Sequence, residues 1–223
     1  MDGNGRWAKA RHLPRTAGHI QGVRRVKEIV RHSSKIGLKY LTLFAFGREN
    51  WARPKEEVSF LMKLLSQKLT SEFSQLVKEN VKIRFIGDRS RLNSEILDKI
   101  NHLESASVNN DGLNLNIALD HSGSYDIIQA VNQISSKGIL VDEEEFSKYL
   151  LTYPNPDPEL IIRTSGESRL SNFMLWQAMY SELYFTQVMW PEFDIVEFEK
   201  AINWYHTRER RFGMISEQIN KEA

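Results

Sequence analysis

The sequence predicts an α/β fold, a single domain over residues 1–223 with a mainly parallel central sheet covered by helices. Three observations carry that reading. Short apolar or alternating runs take turns with longer stretches whose apolar residues recur every three or four positions, the order that builds strand, helix, strand units. Some of the short runs are almost wholly apolar, as strands covered on both faces are. No internal repeat, low-complexity tract or long linker divides the 223 residues, enough for one large α/β domain with its own core.

Taken in order, the chain opens on Met1-Asp2-Gly3-Asn4-Gly5-Arg6-Trp7-Ala8-Lys9, which crowds an acid, two glycines and a base together. A helix is expected over residues 18–37, with Val23, Val26, Ile29 and Val30 on one stripe, basic Arg24, Arg25, Lys27 and Arg31 mostly outside it, and Gly37 as its C-cap. Residues 39–46 read as a buried strand. The polar and aromatic run 47–54 follows it, and the C-terminal edge of such a strand is where open α/β sheets place ligands. Val58, Leu61, Leu65, Leu69, Phe73 and Leu76 predict a long amphipathic helix over residues 55–78. Residues 81–86 alternate as a strand closed by Gly87-Asp88. Ile96, Ile100 and Leu103 mark a helix, and residues 113–119 alternate again as a strand. Residues 125–137 and the shorter acidic stretch 142–151 read as helices, the second with Val141 as a staple. Pro154, Pro156 and Pro158 make the next segment a rigid connector. Residues 159–163 and 182–186 are the last strands, and 194–211 a last helix capped by Asp194.

The totals exclude several classes. Thirty Lys and Arg against 29 Asp and Glu leave a net charge of +1, whereas a non-specific nucleic-acid binder carries a marked basic excess. The absence of cysteine removes disulfides, thiolate zinc sites and a cysteine nucleophile, and fits a reducing compartment. No stretch approaches the ~18 apolar residues of a spanning helix and no secretory signal opens the chain. A cytoplasmic protein with at most peripheral contact at the inner face of a membrane is expected.

The opening stretch suits an anion and a metal ion. Gly3 and Gly5 permit positive φ and close backbone approach to phosphate oxygens. Asp2 is a hard oxygen ligand of the kind Mg²⁺ takes alongside waters and substrate phosphates, and Arg6 offers a planar fork. Two other readings stand beside it. A Gly, Asn and Asp cluster at a chain start also suits a frayed turn. Gly3-Asn4-Gly5-Arg6-Trp7-Ala8 matches a dinucleotide fingerprint with Glu28 as its ribose acid, although no strand precedes it. A second phosphate-type cluster runs from Arg163 through Arg169 to Asn172, two guanidiniums among hydroxyls and a glycine. The competing reading there is a solvated loop whose arginines pair with Glu167. The six histidines form no i,i+3 or i,i+4 pair, and no zinc-protease, nucleophile-elbow or P-loop pattern occurs.

Five blocks together are more specific: residues 1–8; Glu49-Asn50-Trp51 with Arg53-Pro54; Ile162-Arg163-Thr164 with Gly166-Glu167 and residues 169–173; residues 181–185; and residues 209–213. In this order they resemble the signature blocks of the cis-prenyltransferases, most of all bacterial undecaprenyl diphosphate synthases, and the resemblance runs through nearly the whole chain. It implies a Mg²⁺-dependent transferase that lengthens an allylic diphosphate, typically farnesyl diphosphate, by repeated cis additions of isopentenyl diphosphate. The product would be a long polyprenyl diphosphate such as undecaprenyl diphosphate. By the same resemblance Asp2 is the essential acid that handles Mg²⁺, Gly3, Asn4, Gly5, Arg6, Arg15 and His19 surround the allylic diphosphate, and Trp7 belongs to the substrate-binding residues. Asn50 matches the residue assigned to proton removal, beside Gly47, Arg48, Glu49, Trp51 and Arg53. Arg163, Arg169, Leu170 and Ser171 match the grip on isopentenyl diphosphate, and Glu182 a second Mg²⁺ contact. A homodimer is implied, with Arg211-Phe212-Gly213 reaching the neighbouring subunit.

The chain departs from the family at three places. An apolar strand usually precedes the Met-Asp-Gly-Asn-Gly block, so Asp2 is expected on an untethered terminus. Gly47-Arg48 replaces a pair of hydroxyl residues, and the run from Leu119 to Tyr125 replaces an Asn-Tyr-Gly-Gly-Arg type of sequence and adds the charge of Asp120. A non-catalytic polyprenyl-diphosphate binding or regulatory subunit is the main rival. Such a relative is expected to lose the acid or the arginines, which this chain keeps. A generic phosphate-binding domain explains either cluster but not their joint order.

Overall fold

The computed structural model describes residues 1–219. Three parallel strands form the main sheet in the order β1 (Tyr40–Gly47), β3 (Asn114–His121), β2 (Lys82–Ile86), and β4 (Leu160–Arg163) pairs in parallel with β5 (Glu182–Phe185) as a second sheet. Strand positions and parallel sense follow the hydrophobic pattern. The division into two hydrogen-bonded sheets does not, because alternation within a strand says nothing about which neighbour it finds. The edges of β1 and β4 that no described strand pairs both border one cavity, which residues 40–46 and 160–164 line.

β3 is the central strand and is buried along nearly its whole length, with Leu115 and Ile117 within the core cluster that also holds Ile29, Leu43, Phe73, Phe85 and Ile100. Of its buried polar side chains, Asn116, Asp120 and His121, Asn116 is satisfied within the core: Asn155 Nδ2 donates to Asn116 Oδ1 at 2.8 Å, and Asn116 Nδ2 donates to Thr42 Oγ1 at 3.3 Å. The outer edge of β2 is closed by α5 (Ser94–Ala106), where Glu104 Oε1 accepts the Phe85 N–H at 2.8 Å and Ser107 Oγ just beyond it accepts the Ile83 N–H at 3.0 Å. Side chains thus occupy the groups that would otherwise template further pairing.

The long helix expected over 55–78 is present as α3 (Lys55–Lys68), a π turn (Leu69–Phe73) and α4 (Ser74–Lys78) in continuous helical backbone, and Leu69, Phe73 and Leu76 all turn inward. Two boundaries move. The N-terminal stretch is neither a frayed turn nor a loop but α1 (Asn4–Ala10), and α2 (Arg15–Lys35) starts before Gly18. Gly18 and Gly22 explain the packing: a Cβ on Gly18 would lie 1.9 Å from the Asn4 carbonyl oxygen, and one on Gly22 would lie 2.2 Å from Asn4 Oδ1. Only bare backbone lets α1 sit this close to α2, a reason for glycine that helix periodicity does not register.

The remaining helices cap as their sequences ask. Asp142 Oδ1 accepts the Glu145 N–H at the start of α7 (Glu143–Ser147), and Asp194 Oδ1 accepts the Glu197 N–H at the start of α8 (Ile195–His206). Both end earlier than periodicity suggests, α7 in turns and α8 at His206. α6 (Gly123–Lys137) follows β3 directly, and α9 (Ser216–Ile219) is the last described element. No described helix is long and apolar enough to cross a membrane.

Candidate active site

Asp2 is held from three directions. Its N–H donates to Thr164 Oγ1 at 3.0 Å, the Thr164 hydroxyl donates back to the Asp2 carbonyl at 3.0 Å, and the Trp190 N–H donates to the same carbonyl at 2.9 Å. The expectation of an untethered terminus is therefore corrected, since the loops after β4 and β5 hold the Asp2 backbone through Thr164 and Trp190. Gly3 makes the turn possible with φ of 97°, so its N–H reaches back to Asp2 Oδ1 at 2.7 Å. Arg163 Nη2 lies 3.1 Å from Asp2 Oδ2, and Arg6 Nη2 lies 3.4 Å from Oδ1. Burial pushes the carboxyl up, but the Gly3 N–H and the two guanidiniums outweigh it and hold Asp2 below the usual carboxylate range.

A second group gathers where α2 and α3 begin. Arg15 Nε and Nη2 lie 3.2 Å from the two oxygens of Glu57, Arg53 Nη1 lies 3.3 Å from Oε1, and His19 Nε2 lies 3.7 Å from it. Burial lowers the His19 pKa and keeps the imidazole neutral. Burial raises the Glu57 carboxyl, but Arg15 and Arg53 prevail and leave it lowered. Arg15 also lies flat against Gly5, where an added Cβ would meet Arg15 Cζ at 2.7 Å.

The third group is the loop after β4. Arg163 Nη1 donates to Ser171 Oγ at 2.8 Å and to the Arg169 carbonyl, while Glu167 joins Arg6 at 2.9 Å to Arg169 at 2.5 Å. The pairing with Glu167 and the converging guanidiniums are thus both present. Ser165, Gly166, Ser171, Asn172 and Met174 all adopt left-handed backbone, a concentration of strain that folds the loop tightly back on Arg163.

All three groups border one cleft of about 900 Å³. Met1, Asp2, Gly3, Asn4, Gly5, Arg6, Arg15, His19, Asn50, Arg53, Arg163, Arg169, Leu170 and Ser171 line it where β1 and β4 end. Val26 and Ile29 of α2, Leu43 and Phe46 of β1, and Leu61, Leu65 and Phe73 of the long helix line the rest, an apolar wall continuous with the polar end. Asn50 is fixed by the Gly47 N–H, which donates to its Oδ1 at 2.9 Å.

Other expected site residues lie outside the cleft lining. Trp7 stacks under Arg11, with the guanidinium 4.5 Å from its ring centre. Gly47 contributes its N–H to Asn50. Arg48 pairs with Asp88 at 2.5 Å and covers the Tyr125 ring at 4.0 Å, and Glu49 accepts from Asn172 Nδ2 at 2.8 Å. Trp51 packs edge-on to Phe46 at 5.2 Å. Glu182 opens β5 opposite Leu160 and pairs with Arg208 at 3.3 Å, whereas Asp2 sits beyond the other end of β4, so a single chain does not bring the two acids together. Among the described residues no three His, Asp or Glu side chains gather as a metal cluster. The added charge of Asp120 is neutralised by Arg91, whose Nε donates to it at 2.8 Å. Sequence reasoning misses Thr164, Trp190 and Glu57. Thr164 stands in the Ile-Arg-Thr block but is given no role there, and no motif marks Trp190 or Glu57, because the partners of the three lie 162, 188 and 42 positions away.

The family profile described as "Putative undecaprenyl diphosphate synthase" matches residues 1–213. An isoprenyl transferase of Neisseria meningitidis serogroup A is 47% identical over 220 residues, covering 98% of this chain and 89% of the relative. The ditrans,polycis-undecaprenyl-diphosphate synthase ((2E,6E)-farnesyl-diphosphate specific) of Coxiella burnetii is 46% identical over 228 residues, covering 99% and 96%. Among solved structures, lavandulyl diphosphate synthase from Lavandula x intermedia, in complex with dimethylallyl diphosphate, superposes with a TM-score of 0.93 at 37% identity, covering 96% of this chain and 95% of that one. With three of its five signature blocks lining one cleft and residues 1–213 matched by the family profile, the chain belongs to the cis-prenyltransferase family, that of the undecaprenyl diphosphate synthases.

Proposed function

We propose that the chain extends an allylic diphosphate, farnesyl diphosphate by its similarity to farnesyl-specific relatives, through successive cis condensations of isopentenyl diphosphate to a long polyprenyl diphosphate such as undecaprenyl diphosphate. One observation carries the reading. Cationic head-group sites and an apolar cavity are parts of the same cleft, which suits substrates that pair a diphosphate with a hydrocarbon tail.

In the reaction the allylic C–O bond breaks and its electrons leave with the diphosphate. The isopentenyl double bond attacks the allylic carbon, a C–C bond forms, and the proton lost from the isopentenyl unit passes to the released diphosphate. Arg15 and Arg53, with neutral His19 as a hydrogen-bond partner, hold the allylic diphosphate and stabilise its departing charge. Arg163, Arg169 and Ser171 hold the isopentenyl diphosphate, so the two reacting carbons meet between the groups. Asn50, oriented by the Gly47 N–H, guides the departing proton. Val26, Ile29, Leu43, Leu61 and Leu65 take the lengthening tail out of water, at roughly 25 cal/mol for each Å² covered.

Mg²⁺ fits Asp2. Five arginines line this end of the cleft, Arg6, Arg15, Arg53, Arg163 and Arg169, against three carboxylates bound to them, Asp2, Glu57 and Glu167, which leaves less positive charge than two diphosphates ask for. An ionised Asp2 facing the cleft matches the way Mg²⁺ is held, by one or two carboxylates together with substrate phosphates. When bound there the ion would polarise the phosphate oxygens and ease departure of the leaving group. A homodimer is supported by exposed Leu183 and Phe185 on β5, next to exposed Met179 and Tyr180, an apolar face suited to a second copy. We place the chain in the cytoplasm, with peripheral contact at the inner face of the membrane as the route by which its lipid product leaves.

The test is incubation of purified chain with Mg²⁺, farnesyl diphosphate and labelled isopentenyl diphosphate, followed by sizing of the extracted lipid. Labelled polyprenyl products are expected. Silence from folded protein would favour the non-catalytic binding subunit, and sedimentation reads the dimer in the same preparation.

A further inference from the structure

The three groups proposed to hold the allylic diphosphate, Arg15, His19 and Arg53, all face one acid, Glu57. No other acid pairs with Arg15 or Arg53 among the described residues. Glu57 is mostly buried, with its side chain 14% exposed, and stands in the first turn of α3, where the helix N-terminus also favours a negative charge. Its hydrogen bonds with Arg15 and Arg53, at 3.2 to 3.3 Å, are long for charge-assisted ones, which close to roughly 2.7–2.9 Å when one donor and one acceptor have each other to themselves. One carboxylate is therefore shared by two guanidiniums and held tightly by neither, while His19 Nε2 stands 3.7 Å away, beyond hydrogen-bond reach.

We propose, resting on the assignment of this pocket to the allylic diphosphate, that Glu57 is its affinity-limiting counter-charge. The carboxylate subtracts one unit of charge from the pocket and competes with the ligand for the same guanidinium N–H groups. It keeps Arg15 and Arg53 gathered when the pocket is empty and weakens the hold on whatever anion enters. Such tempering has a use in repeated condensation. Each cycle releases inorganic diphosphate from this pocket, and an enzyme that bound this product too well would stall there.

Two effects oppose each other on removing the charge: the guanidiniums lose an anchor and the pocket gains a net positive charge. The long, shared contacts decide between them, since the anchoring each provides is weak while a unit charge a few ångströms from a bound anion is only partly screened in a half-buried site. Glu57→Gln keeps the length and an acceptor oxygen while removing only the charge. Glu56→Gln, an exposed position in the same turn, removes the same charge away from the guanidiniums.

The experiment is calorimetric titration of the full chain with inorganic pyrophosphate, with steady-state kinetics on the same variants. Glu57→Gln is expected to bind pyrophosphate about tenfold more tightly than the parent, with KM for the allylic diphosphate and kcat both falling. Glu56→Gln is expected to match the parent. Equal or weaker pyrophosphate binding by folded Glu57→Gln overturns the proposal and leaves Glu57 as an anchor of the arginines. Tightening of the same size in Glu56→Gln also overturns it, because the effect would then be non-local. Pyrophosphate binding by neither parent nor variant would instead remove the diphosphate assignment of the pocket, and the role of Glu57 with it.

Discussion

Asp2 joins the two halves of the chemistry, because its carboxylate touches Arg6 from the N-terminal block and Arg163 from the loop after β4. Asp2→Ala is expected to lower turnover by about 10²–10³, the scale on which removal of one preorganised charge contact acts, with little change in KM for isopentenyl diphosphate. Initial-rate assays at saturating substrates check this, and unchanged turnover would take Asp2 out of the mechanism. An acid, two glycines and an arginine within five positions suit an anion and a metal ion but also a turn or a dinucleotide site, so in the sequence Asp2 is singled out only by the family resemblance. Thr164 is not legible, since a threonine after a strand gives no sign that its hydroxyl will clamp a backbone 162 residues away. Arg48 shows the opposite limit. It lies in a signature block, yet the nearest acid and aromatic ring in space draw it to Asp88 and Tyr125. Burial pushes the Asp88 carboxyl up, but Arg48 and the Ser90 N–H overcome this and leave its pKa lowered to about 2. A lowered carboxyl pKa adds stability that is present above the unfolded value near 4 and is lost as pH falls towards 2, here on the order of 2 kcal/mol. Asp88→Asn should therefore unfold at lower urea than the parent at pH 7, and the two should converge as the pH is taken from 4 towards 2.

Among the elements, α1 and α2 set the head-group end of the cleft, and their close approach depends on Gly18. Gly18→Ala places a methyl group against the Asn4 carbonyl, a collision that rigid backbone cannot relieve. A loss of roughly 1–3 kcal/mol in urea unfolding is expected, with weakened activity because α1 carries Asn4, Gly5 and Arg6. The strands and the long helix were readable because burial on both faces or along one stripe imposes a period on the residues. The start of α1 was not, because its glycines and asparagine read as a loop until Trp190 and α2 pack against them. Nor was the π turn at Leu69–Phe73, since apolar steps of four and three fit an unbroken α-helix equally well.

The whole molecule places polar capture and apolar storage in series. Leu65 of α3 lines the storage end, so Leu65→Trp is expected to shorten the lipid by one or more five-carbon units while the first condensation proceeds at the parent rate. Thin-layer sizing of labelled lipid reads both. The fold class and the order of the site blocks were legible along the chain. The split between the two sheets and the union of three clusters in one cleft arise only from long-range packing, which a linear pattern does not encode. The most direct test is a crystal structure of the chain with Mg²⁺, isopentenyl diphosphate and a non-reactive thio analogue of farnesyl diphosphate. The diphosphate groups should lie on Arg15 and Arg53 and on Arg163 and Arg169, with the metal at Asp2 and the farnesyl tail along Val26, Ile29, Leu43 and Leu61. A tail outside that wall, or head groups bound away from both arginine sets, would contradict the account.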